Sequence, residues 1–80
     1  MDERKFEIIN GLGIISTAGQ WNKELNRISW NGREPEYDIR SWTEDHERMT
    51  KGITFSEQEL RKLFFLIEKE IKFLDEEIDG

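Results

Sequence analysis

Six side chains between residues 26 and 42 could do chemistry by contact rather than by reaction. In NRISWNGREPEYDIRSW, Arg27, Arg33 and Arg40 alternate with Trp30, Tyr37 and Trp42. A guanidinium neutralises anions, and an indole offers a flat apolar face. Unpaired nucleic acid exposes the complements of both. Aromatics stack on its bases at about 1–3 kcal/mol each, while cations track its phosphates. Trp21 and Lys23 precede the segment and enlarge the set. The competing reading is structural. Trp and Tyr are common strand residues that pack cores, and Arg beside Glu on strands is ordinary cross-strand pairing.

These side chains need strands to hold them. EYDIRSWT (36–43) reads as a strand that puts Tyr37, Ile39 and Ser41 on one face and Asp38, Arg40 and Trp42 on the other. Ile39 and Tyr37 suit a core, which would leave Arg40 and Trp42 outward. ELNRISWN (24–31) is its partner, with Ile28 and Trp30 on one face and Arg27 and Ser29 on the other. Asn31-Gly32 between them is a hairpin signal, although the loop to Glu36 is longer than the two-residue type. Upstream, KFEII (5–9) and IIST (14–17) read as two strands parted by Gly11 and Gly13. KGITF (51–55) is a last short strand, and EDHERM before it is polar loop.

A helix closes the chain. Ser56 is a good N-cap and Glu59 completes a capping box. Leu60, Phe64, Ile67, Ile71, Leu74 and Ile78 follow at alternating spacings of four and three, and Leu63, Phe65, Leu66 and Phe73 widen the stripe. So wide a stripe suggests a second apolar partner besides the helix's own sheet, a second copy of the chain; the modest alternative is a helix that only covers its sheet.

With 80 residues, the chain is expected to form one domain, 1–80. A chain this short buries only roughly 60% of its unfolded surface. It has no Cys, so neither a disulfide nor a thiolate metal site can add stability, and oligomerisation is the expected remedy. No apolar run approaches the roughly 20 residues of a membrane span, and the charged start MDERKFEII lacks a signal-peptide core. The expected setting is therefore soluble and cytoplasmic, with no membrane partner. The net charge of -6 weighs against nucleic acid, but the acids concentrate after residue 52, while residues 21–42 are balanced. A duplex reader would place cations on a groove-shaped element, and here the helix is acidic. Single strands are the better fit.

The order of motifs adds to this. YDIRSW, a polar loop, then KGITFSEQEL leading into a terminal helix resembles the single-stranded-DNA-binding domain of transcriptional positive cofactor four, most of all its short bacterial members of the YdbC type. Asp38-Ile39-Arg40, Lys51-Gly52-Ile53-Thr54-Phe55 and the cap Ser56 carry the likeness, as does KELNRISWN with EPEYDIRSW. The resemblance implies an α+β fold: a curved antiparallel sheet of four to five strands followed by one C-terminal helix, in a homodimer. It implies binding of single-stranded DNA with little sequence preference, in transcription regulation, replication or repair; RNA and protein partners from those processes stay open. Carried onto matching positions, Arg40 and Lys51 are phosphate contacts, Trp42 is the stacking aromatic at the strand end, and Trp30 belongs to the aromatic and basic hairpin. Lys23 and Arg27 match the entry to that strand, and Arg33 stands in the turn. NGREPE departs from the family's Lys-rich hairpin.

Other constellations are poorer. His46 in EDHER lacks companions for a metal site and reads as an exposed loop residue. Glu44, Asp45 and Glu47 do not have calcium-loop spacing, and GLG (11–13) is no phosphate loop. No nucleophile has a base partner, so neither enzyme activity nor a cofactor is expected. A second reading makes the protein an adaptor that docks a partner on its acidic helix, with the sheet merely structural.

Overall fold

The structure, a computed structural model, describes residues 5–79, with side chains through residue 77. The Ile78 side chain, the last of the expected stripe, lies outside the described residues. Four strands and a helix follow in order: β1 (Phe6–Ala18), β2 (Trp21–Trp30), β3 (Glu36–Trp42), β4 (Ile53–Phe55) and α1 (Glu57–Asp79). Each strand pairs antiparallel with its chain neighbour, giving the sheet order β1-β2-β3-β4. The α+β class holds, with four strands.

The two strands expected before residue 18 are one. Gly11 and Gly13 do not break β1, because the chain stays extended through three register shifts, between Ile8 and Asn10, Gly11 and Gly13, and Ile14 and Ser16. Each shift leaves one extra residue, and these are Ile9, Leu12 and Ile15, three apart and all exposed. A bulge bends its strand and adds right-handed twist, so three in one strand coil the sheet tightly.

The aromatic rings register that coiling. Phe6 faces Trp30 at one end of β2, while Trp42 faces Asn22 near the other. Eight residues of flat strand would hold these ends roughly 26 Å apart. Yet the Phe6 ring lies 5.9 Å from Trp30 and 5.0 Å from Trp42. The concave face has curled around its own aromatics. Ile28, Trp42 and Asp38 are wholly buried there. On the other face Phe55 stacks on Tyr37 with centroids 6.2 Å apart, and the start of α1 passes beside Tyr37 with Leu60 and Phe64.

Local chemistry sets the joints. Asn31 and Gly32 both take positive φ, 52° and 75°, and Arg33 N–H donates to Trp30 O at 2.9 Å. That is a tight primed turn, whose twist matches the strands. At the helix start the Glu59 N–H donates to Ser56 Oγ (3.1 Å) and the Ser56 N–H to Glu59 Oε1 (2.8 Å), a reciprocal capping box. The helix that follows is roughly 34 Å long. It projects from the sheet, giving the chain extents of 54 × 32 × 19 Å. Leu60 and Leu63 are half-buried, whereas Phe64, Ile67, Ile71 and Leu74 are 48–64% exposed. Its own sheet covers only the first turns.

Gly52 shows how tightly the segment before β4 is seated. A Cβ there would collide with Arg40 Cβ and the Ile39 carbonyl oxygen. Backbone in that position cannot step aside cheaply. Gly52→Ala should destabilise the fold by about 1–3 kcal/mol, read as a lowered urea midpoint with an unchanged slope.

Candidate nucleic-acid interface

The Asp38, Arg40, Trp42 face, expected outward, is the inner one. Arg40 Nε donates to Asp38 Oδ1 and Nη2 to Oδ2, both at 2.7 Å, with side chains 9% and 0% exposed. Thr54 Oγ1 donates to the same Oδ2 at 2.8 Å. The guanidinium carbon lies 4.6 Å from the centre of the Trp30 ring, a close cation–π stack. Nη1 reaches the Thr50 carbonyl at 3.4 Å and Met49 Sδ at 3.5 Å. A guanidinium so engaged has little left to offer a phosphate. Its geometry explains the alternation of Arg and Trp: at this point the two types build a core together.

Trp42 is a second correction. It is 0% exposed, between Phe6 and the His46 ring, whose centroid is 5.3 Å away. No base can reach that indole without opening the sheet. Its Nε1–H has no acceptor among the described residues, a cost of about 1–3 kcal/mol that the surrounding ring packing must offset.

His46 is also not the free loop residue expected. It has a positive φ of 60°, and its Nε2 lies 2.9 and 3.1 Å from the two carboxylate oxygens of Glu24. The carboxylate can only accept, so the ring carries a proton on that nitrogen. Glu24 is buried and also accepts from Asn26 Nδ2 at 3.0 Å. The loop is thereby tied to β2. Its own turn is fixed by Asp45, whose Oδ1 accepts from the Glu47 N–H at 3.0 Å and the Thr43 hydroxyl at 2.8 Å. The Glu47 N–H first, then the Thr43 hydroxyl, hold the Asp45 carboxyl below its ordinary range.

The remaining cations are outside. Lys23, Arg27, Arg33 and Lys51 are exposed, and Trp30 is half-buried. Lys23 and Arg27 share one face of β2, roughly 13 Å apart. Trp30 has the opposite parity and turns to the concave side, with Arg33 in the adjoining turn. The seven expected residues therefore do not form one surface. Four are accessible cations, Trp30 shows part of its ring, and Arg40 and Trp42 lie behind them as support. The residues read from the sequence include Trp21 but not Arg48, which the fold places beside it. Arg48 is exposed, and its guanidinium carbon lies 5.9 Å from the centre of the half-buried Trp21 ring. Trp21 stood beside Lys23 in sequence, but nothing there linked it to a loop residue 27 positions on.

Residues 18–64 match the family described as Transcriptional Coactivator p15 (PC4). The chain belongs to the PC4 family. The matched stretch runs from the β1–β2 turn through all of β2, β3 and β4 to the first turns of α1, and so contains every site residue named above. The chain is also 43% identical over 60 residues to a protein of Treponema pallidum (strain Nichols) described as uncharacterized, covering 74% of this chain and 71% of that one. The PC4 match includes the Asp38–Arg40 pair and Gly52 but excludes nearly all of bulged β1 and the exposed two-thirds of α1. Among the described residues, no helix is long and apolar enough to cross a membrane.

Replacing Asp38 with Ala would strand a nearly enclosed guanidinium. The expected loss is about 3–5 kcal/mol, seen as a large fall in the thermal midpoint. Replacing exposed Arg33 with Ala should change the stability by no more than about 0.5 kcal/mol and leave that midpoint nearly unmoved.

Proposed function

We propose that this protein is a homodimeric single-stranded-DNA-binding protein of the PC4 family, with little sequence preference, serving transcription regulation, replication or repair. The observation that carries the reading is a separation of roles. The inner Arg–Trp pair is locked, while Lys23, Arg27, Arg33 and Lys51 stay exposed on strands and turns of a rigid sheet. Phosphates pair with those four cations, and the accessible part of Trp30 stacks on a base. Arg40 and Trp42 hold the platform from behind. Nothing in this scheme requires a reaction: binding is neutralisation plus stacking.

Dimerisation is supported by the helix. Phe64, Ile67, Ile71, Phe73 and Leu74 each leave about half of their surface exposed in the single chain. Monomeric proteins seldom expose so continuous an apolar face, and the like face of a second copy is its simplest cover. Joining two copies would also set two β2 surfaces in one particle, lengthening the track for a strand.

Two measurements test this reading. Affinity for a labelled oligo-dT should fall steeply with salt, and Lys23→Ala with Arg27→Ala should flatten the log–log slope by about 1.4 for each protomer engaged. A slope that stays the same would remove those two residues from the interface. Phe64→Asp with Ile71→Asp should convert a sedimenting species of twice 9.6 kDa into one of 9.6 kDa. A pair of such substitutions that left the mass unchanged would show that another surface joins the copies.

A further inference from the structure

We infer that Trp21 and Arg48 form a second seat for an unpaired base, at the end of β2 remote from Trp30; the inference rests on the single-strand reading above. The two Arg–Trp pairs found among the described residues differ in a way that suggests different uses. Arg40 is pressed against Trp30 at 4.6 Å and is held from behind by both oxygens of Asp38. Arg48 stands 5.9 Å from the Trp21 centroid, and among the described residues no carboxylate pairs with it. Stacked units lie about 3.4 Å apart, so a base held between indole and guanidinium needs them roughly 7 Å apart. The Trp21–Arg48 pair is about one ångström short of that spacing, on a long and unrestrained side chain. Bases are held in this way, on an aromatic ring or a guanidinium plane, in single-strand recognition.

The surroundings favour a base over a phosphate. An open groove of about 710 Å³ adjoins the pair, lined by Gln20, Thr43, Glu44, Asp45 and Arg48. Two carboxylates on its rim repel a phosphate, whereas the amide of Gln20 can meet a base edge. The groove floor is rigid, because Thr43 N–H donates to Arg48 O at 3.0 Å and Arg48 N–H to Thr43 Oγ1 at 3.1 Å. Arg48 thus has a fixed backbone and a free head.

The test is fluorescence anisotropy of a labelled dT oligonucleotide of about 20 residues against the full chain, its Trp21→Ala variant and its Arg48→Gln variant, across a salt series. Trp21→Ala should weaken binding between about fivefold and a hundredfold at every salt concentration, with the log–log slope unchanged, because stacking is lost and no phosphate contact is. Trp21→Phe should recover most of that loss, and Arg48→Gln should weaken binding without the full slope change of a lost phosphate contact. A Trp21→Ala protein that keeps its circular dichroism and binds as tightly as the unaltered chain overturns the base seat while leaving the single-strand reading intact. No binding by the unaltered chain at low salt overturns both.

Discussion

The structure depends on a two-point ion pair inside its concave face. Asp38 is wholly buried and takes both a guanidinium fork and the Thr54 hydroxyl. Burying charges costs several kcal/mol for each ion, and only good geometry with every lone pair used repays it. Here the geometry also does positional work. Thr54 brings β4 to β3, Arg40 meets Met49 and Thr50 of the connecting loop, and the Arg40 Cβ leaves room only for a glycine at position 52. One pair thereby fixes strand, loop and the Trp30 ring at once. Its cost is that the arginine most prominent in the sequence has few donors left for a phosphate.

The same pair shows what can be read from residues alone. The hairpin at Asn31-Gly32, the capping box of Ser56 and Glu59, and the apolar stripe of α1 were all legible, because each is set by local backbone preference or a fixed period. The alternation along β3 was legible too: Asp38, Arg40 and Trp42 do share a face. Which face lies inside was not. Two residues as polar as Asp and Arg look like solvent residues until a third strand, a loop and an indole are placed around them. That placement follows from the coiling of the sheet, and the coiling comes largely from β1, where three bulges look like a broken strand. A period-two pattern cannot show an extra residue that leaves the chain extended.

Candidate contacts divided along the same line. Lys23, Arg27, Arg33 and Lys51 are exposed because long cationic side chains reach water from either strand face or a turn. Trp42 was misplaced because indoles serve both stacking surfaces and cores, and only curvature decides between them. The nearness of Trp21 to Arg48, and of His46 to Glu24, depends on the path of the loop from Thr43 to Thr50. That loop is built from an Asp45 turn and a left-handed His46, neither of which carries a long-range signal in sequence.

The central claim is that a bound strand touches the outer cations and leaves the inner Arg–Trp core in place. A titration of the isotopically labelled protein with oligo-dT, followed by nitrogen–proton NMR, tests it most directly. The account predicts the largest shifts at the amides around Lys23, Arg27, Arg33 and Lys51, with the Trp42 indole and the Arg40 Nε signals nearly still. Large movements of those two inner signals, with the outer amides unmoved, would contradict it.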